Sequence, residues 1–130
     1  MPIKTQKIIL DTNILLLPFQ VKVDIFSEID RLCNFPYELC ILDKTIGELD
    51  AITKKKGRQK DEAKLALTLI KAKSIEMIPS GSRAHTDDIL VDLSENGYLI
   101  ATRDLPLMSR IRKKGAKVIT LRQKSHLVML

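Results

Sequence analysis

Short apolar segments rich in β-branched residues recur along the chain and predict strands. They are bounded by polar or turn-forming residues and lie at positions 7–10, 39–42, 75–78, 98–102 and 117–121. Between them, apolar residues follow helical spacing at positions 23–32, 45–53, 61–73, 86–95 and 105–114. Strands that alternate with helices indicate parallel pairing with crossover connections. The pattern therefore predicts an α/β fold with a mostly parallel five-stranded sheet and helices on both faces.

Length and composition favour one globular unit. The chain has 130 residues, 45% hydrophobic and 29% charged, which excludes disordered and collagen-like classes. Because no linker or repeat divides it, we expect a single domain over residues 1–130. Cys33 and Cys40 lack the spacing of a zinc site or a disulfide framework. The sequence also shows no signal-peptide pattern and no apolar run long enough to span a membrane. Together with the two isolated cysteines, these observations predict a cytoplasmic protein without membrane contact.

Positive charge is concentrated near the end of the sequence. The net charge is +6, and residues 103–130 carry 8 basic side chains against 1 acidic one. Such a surface favours a polyanionic partner, most often nucleic acid, although a merely solvated basic face has the same composition. The aromatic content of 4% argues against base stacking on aromatic side chains. The basic residues that we expect to contact phosphates are Arg110, Arg112, Lys113, Lys114, Lys117, Arg122 and Lys124.

Acidic residues stand near the carboxyl ends of the predicted strands. Asp11 follows the first strand, Glu48 comes shortly after the second, and Asp104 follows the fourth. Asp87 and Asp88 open the helix before the fourth strand. Open parallel sheets bind ligands beyond this edge, so these carboxylates are expected to converge.

Each acid also has a purely structural alternative. Thr45 and Glu48 fit a capping box, and acids in the first turn of a helix interact favourably with its dipole. Asp104 could cap a helix, and Asp11 could form a local turn.

If the acids do converge, their mutual repulsion requires a cation. Two carboxylates about 4 Å apart repel by about 4 kcal/mol at an effective dielectric constant near 20. Oxygen ligands without Cys or His select Mg²⁺ or Mn²⁺ rather than zinc. An acidic metal site beside a basic segment indicates metal-dependent cleavage of phosphodiester bonds.

Four segments resemble, in order and spacing, the acidic motifs of PIN-domain ribonucleases. They are residues 8–13 (IILDTN), 42–49 (LDKTIGEL), 86–90 (TDDIL) and 100–105 (IATRDL). The resemblance implies a three-layer α/β/α sandwich, Mg²⁺ or Mn²⁺ at an acidic cleft, and endonucleolytic cleavage of RNA.

The same resemblance assigns roles to individual residues. It makes Asp11, Glu48, Asp88 and Asp104 the catalytic, metal-binding acids, with Asp87 as a further metal ligand. The apolar residues 89–91 after Asp88 favour Asp88 over Asp87. Asn13 and Thr102 match positions that orient the acids through hydrogen bonds, with ordinary turn chemistry as the alternative.

The Asp-Asp pair and residues 110–115 (RIRKKG) and 121–127 (LRQKSHL) resemble the PIN branch that cleaves precursor ribosomal RNA during small-subunit assembly. The compact length is similar to archaeal members of that branch. Within the fold, the alternatives are the toxin nuclease of a toxin–antitoxin pair and an RNA-binding module that does not cleave. The family also implies a possible homodimer. A phospho-acceptor signalling domain is disfavoured, because the third strand is followed by Pro79 and Ser80 rather than by an acceptor aspartate.

Overall fold

A computed structural model of the chain describes residues 5–82 and 85–130, which form a six-stranded sheet covered by helices. The strands are β1 (Gln6–Leu10), β2 (Tyr37–Leu42), β3 (Glu76–Ile78), β4 (Leu99–Ala101), β5 (Val118–Arg122) and β6 (His126–Met129). The helices are α1 (Thr12–Leu15), α2 (Leu17–Gln20), α3 (Ile25–Leu32), α4 (Asp43–Thr53), α5 (Arg58–Ala72), α6 (Thr86–Glu95) and α7 (Leu105–Lys113).

The strand order is β3-β2-β1-β4-β5-β6, with β1 to β5 parallel and β6 antiparallel to β5. From β1 the chain moves outward to β2 and β3, and it then crosses to the other side of β1 to form β4. The strand order therefore reverses between β1 and β4. The carboxyl ends of these two strands flank the point at which parallel sheets bind ligands.

The apolar core lies in two layers, one on each face of the sheet. Successive strand residues point to opposite faces. Ile8 and Leu10 accordingly pack with residues of α1 to α5, whereas Ile9 packs with residues of α6 and α7. Both faces of the central strands are covered, which confirms the predicted α/β/α sandwich.

The secondary structure differs from the sequence prediction in several places. The sheet has a sixth strand, β6, joined to β5 by a tight turn through Gln123 and Lys124. The apolar residues after Asp11 form the short helices α1 and α2, and α4 begins at Asp43, two residues before the predicted start. Among the described residues, every helix is too short or too polar to cross a membrane.

Candidate active site

Four acidic side chains line a cleft of about 300 Å³ at the carboxyl edge of the sheet. Asp11 follows β1 directly, and Asp104 is the N-cap of α7, just beyond β4. Glu48 comes from α4 and Asp87 from the first turn of α6. The other described residues that line the cleft are Thr12, Asn13, Leu16 and Thr86, so its described wall contains no lysine or arginine.

The carboxylate of Asp11 is partly buried and is held by two short hydrogen bonds. Thr102 Oγ1 donates to Asp11 Oδ2 at 2.7 Å, and the Thr12 backbone N–H donates to Asp11 Oδ1 at 2.9 Å. Burial nevertheless raises the pKa of Asp11, and the nearby carboxylates of Glu48 and Asp87 raise it further. These hydrogen bonds lower the pKa without cancelling the rise, whose main cause is burial.

Thr102 joins the ends of β1 and β4. Its side chain is fully buried, and besides donating to Asp11 its Oγ1 accepts the Asp104 backbone N–H at 3.1 Å. Asn13 Nδ2 lies 3.4 Å from both Thr102 Oγ1 and Asp11 Oδ2, and Asn13 Oδ1 accepts the Arg103 backbone N–H at 3.0 Å. Asn13 and Thr102 therefore both contact the acidic group.

Glu48 is held by hydroxyl groups and does not form a capping box. Because α4 begins at Asp43, Thr45 is buried inside the helix, and this alternative is excluded. Thr12 Oγ1 donates to Glu48 Oε2 at 2.8 Å, and Thr86 Oγ1 lies 3.5 Å from Glu48 Oε1. Neither threonine was predicted as a site residue. The sequence signal that could have identified them is their position, because Thr12 directly follows Asp11 and Thr86 directly precedes Asp87.

Asp87 and Asp88 have different surroundings. Asp87 lines the cleft, whereas Asp88 forms an ion pair with Arg110 of α7, with 2.8 Å between Asp88 Oδ1 and Arg110 Nη2. Adjacent residues on a helix point about 100° apart, so only one of the two can face the sheet edge directly. The sequence pattern favoured Asp88 as the site residue. In the structure, Asp87 is the one of the two that lines the cleft.

The cleft offers the right kind of ligands for a hard divalent cation, although not a closed set. Its carboxylate and hydroxyl oxygens match Mg²⁺ or Mn²⁺ in chemistry. Within residues 5–82 and 85–130, however, no three acidic, His or Cys side chains are grouped closely enough to hold a metal ion as they stand. Glu48 and Asp87 are exposed to solvent at this site.

The predicted phosphate-contacting residues fall into four groups. Arg122 and Lys124 line a groove next to the cleft, and Arg112 and Lys113 line a depression on α7. Two others are ion-paired: Arg110 with Asp88, and Lys114 with Glu95, whose Oε1 lies 3.7 Å from Lys114 Nζ. Lys117 lies beside Gln6 near the opposite edge of the sheet.

Comparisons with known proteins support a single family. Residues 8–124 match the family model described as PIN like domain. Ribonuclease VapC4 of Methanocaldococcus jannaschii is 29% identical over 122 residues, which cover 92% of this chain and 93% of that protein.

Two solved structures share the fold. The PIN domain endonuclease Utp24 superposes with a TM-score of 0.77 and 26% identity, covering 95% of this chain and 90% of that one. A domain of a functionally unknown protein from Methanocaldococcus jannaschii has a TM-score of 0.61 at 14% identity, with 91% and 92% covered, and it supports the fold alone.

Proposed function

The chain belongs to the PIN-like domain family, and on that premise we propose that it is a metal-dependent endoribonuclease that hydrolyses RNA in the acidic cleft. One observation carries the proposal: Asp11, Glu48, Asp87 and Asp104 come from four separate segments and line one cleft, whose described wall contains no lysine or arginine. The similarity to a ribonuclease and to a PIN domain endonuclease supports the same activity.

The four acids are the residues that would hold Mg²⁺ or Mn²⁺. A divalent ion bound there would lower the pKa of an attacking water and offset negative charge on the phosphate. Asp11 is the central ligand in this proposal, because its raised pKa reflects burial and carboxylate neighbours that positive charge would compensate. Thr102 and Asn13 orient Asp11, and Thr12 orients Glu48, through the hydrogen bonds described above.

The proposal is tested with a circular RNA, which only an endonuclease can open. Purified protein with Mn²⁺ or Mg²⁺ is expected to convert the circle to linear products, and EDTA is expected to prevent the conversion. RNA binding without any opening, with either ion and by folded protein, would instead identify a binding module that does not cleave. The complete set of cleft acids argues against that alternative.

For the RNA target, we propose precursor ribosomal RNA. This rests on the resemblance of the Asp-Asp pair and of residues 110–115 and 121–127 to the branch that acts in small-subunit assembly. Crosslinking the protein to RNA in cells tests the target, and recovery of precursor ribosomal RNA is the expected result. Transfer or messenger RNA, together with a co-purifying antitoxin, would favour the toxin alternative. A homodimer and a cytoplasmic location stay predictions.

A further inference from the structure

A basic groove of about 440 Å³ shares a wall with the acidic cleft. Residues 103–105 form this wall: Asp104 lines the cleft, whereas Arg103 and Leu105 line the groove. The rest of the groove comes from α7 and the β5–β6 hairpin, with Met108, Arg122, Gln123 and Lys124 among its lining residues. Its described lining contains three basic side chains and no acidic one, the reverse of the cleft.

The groove and the cleft carry opposite charges, so they would interact differently with the phosphates of RNA. Phosphates are repelled by the cleft carboxylates, so positive charge outside the cleft has to hold the strand near them. Arg122 and Lys124 are exposed, and neither forms an ion pair with any residue in the described ranges. In contrast, Arg110 and Lys114 are already paired with acids. Among the described residues, the groove therefore holds exposed cations without acidic partners beside the wall of the cleft.

The groove also has an apolar side that a phosphate contact does not explain. Leu105 is 72% exposed, more than any other large apolar side chain in the described residues. Met108 lies beside it at 7% exposure. An unpaired base can pack against such aliphatic side chains, whereas bases inside a duplex are stacked and inaccessible.

The turn that carries Gln123 and Lys124 is conformationally costly for these residue types. Their φ angles are 55° and 54°, and the Ser125 backbone N–H closes the turn onto the Arg122 carbonyl at 3.2 Å. Two consecutive left-handed residues in a hairpin turn usually select Asn-Gly. Gln and Lys here place two long polar side chains at the groove, which a ligand contact would explain.

We propose that this groove binds an unpaired nucleotide of the RNA strand next to the cleft. The base packs against Leu105 and Met108, and the flanking phosphates contact Arg122 and Lys124. This inference rests on the proposed function, since it names the single-stranded character of that substrate. It also assigns base contacts to aliphatic side chains in a chain that is poor in aromatic residues.

The first test separates specific phosphate contacts from general charge. Fluorescence anisotropy measures binding of a short labelled single-stranded RNA, and of its duplex, in EDTA so that no cleavage occurs. The variant Arg122→Gln/Lys124→Asn removes two groove cations, and Lys55→Gln/Lys56→Gln removes the same charge from the loop between α4 and α5.

We expect single-strand affinity to fall about tenfold in the groove variant, and the slope of log affinity against log salt to shrink by about 1.4, because each single-strand phosphate contact contributes about 0.7. The control should stay within about threefold with an unchanged slope. Equal effects of the two variants would overturn the inference.

The second test addresses the base contact. Because Leu105 is exposed, Leu105→Ala should leave unfolding unchanged, lower single-strand affinity about fivefold and preserve the salt slope. Duplex affinity should not change. Equal losses for single strand and duplex, or no loss for either, would refute an unpaired-base site.

Two further outcomes separate this inference from its premise. Groove variants that weaken binding of an acidic peptide but not of RNA would assign the groove to a protein partner and overturn it. Because these measurements are made without cleavage, failure of the circular RNA assay would refute the proposed activity and leave the groove result intact.

Discussion

Replacing Thr102 by valine should disconnect the two acids that flank the switch point of the sheet. Valine has nearly the same shape as threonine, so the substitution removes the hydroxyl without opening a large cavity. Thr102 Oγ1 donates to Asp11 at 2.7 Å and accepts the Asp104 backbone N–H at 3.1 Å. Both bonds disappear in the variant, at a position with no solvent exposure.

The expected cost follows from these two bonds. A hydrogen bond to a charged group contributes about 1.5–3 kcal/mol, and a buried N–H left without a partner costs about 1–3 kcal/mol. Because Asp11 and Asp104 line the cleft and are only partly buried, water can replace part of what is lost. We therefore expect the free energy of unfolding to fall by about 2–4 kcal/mol. The pKa of Asp11 should rise further, since Thr102 is the strongest influence that lowers it.

Urea unfolding followed by circular dichroism at neutral pH measures the effect. Thr102→Ser is the matched control, because it keeps the hydroxyl and loses only a methyl group, at a cost of about 1 kcal/mol. The valine variant should be clearly less stable than the serine variant. A valine variant as stable as the serine variant would refute the view that this hydroxyl organises the site.

Three further predictions follow from the structure. Asp87→Asn should lower the rate of RNA cleavage about 100-fold. Asp88→Asn should leave that rate within about threefold of wild type, because the Asp88–Arg110 ion pair is half exposed and weak. Equal losses of rate in the two variants would contradict the assignment of Asp87 to the cleft. Asp24→Ala removes the N-cap of α3 and should cost about 1 kcal/mol in urea unfolding at neutral pH. Hydrogen bonds from Ser27 lower the pKa of Asp24, so this stabilisation is present above the ordinary aspartate pKa and is lost as pH falls through the lowered one; a difference between wild type and variant that persisted in strong acid would contradict it. Burial raises the pKa of the Cys40 thiol to about 11, so iodoacetamide near pH 8 should modify Cys40 only after unfolding, as mass spectrometry can show; rapid modification of the native protein would contradict its burial.

The parallel part of the fold could be predicted from sequence because its signals are local and strong. Continuous apolar segments marked β1 and β2, and helical spacing marked the helices between strands. The strand β6 also has an apolar run, at residues 127–130 (LVML), but no recognisable turn separated it from β5. Its turn uses Gln123 and Lys124 in left-handed conformations, without the Gly or Asn that usually marks such a turn. Pairing with β5, rather than local sequence, stabilises this last strand.

The site was predictable wherever an acid directly follows a strand. Asp11 and Asp104 have their positions fixed by the strand ends, so sheet topology alone brings them to one edge. The choice between Asp87 and Asp88 depended on the rotation of α6 about its axis. Residues 89–91 after the pair are all buried, so no periodicity in this segment reports that rotation. The packing of α6 against α7 and β4, together with the Asp88–Arg110 pair, favours the observed rotation.

The most direct test of the central claim is the single-turnover rate of RNA cleavage by wild type and Asp11→Asn in Mn²⁺. Asp50→Asn, on the same helix as Glu48 but outside the cleft, is the matched control for removing one carboxylate charge. We predict that Asp11→Asn slows cleavage at least about 100-fold while the control cleaves at the wild-type rate. Equal cleavage by wild type and a correctly folded Asp11→Asn would contradict the proposal that this acidic cleft hydrolyses RNA.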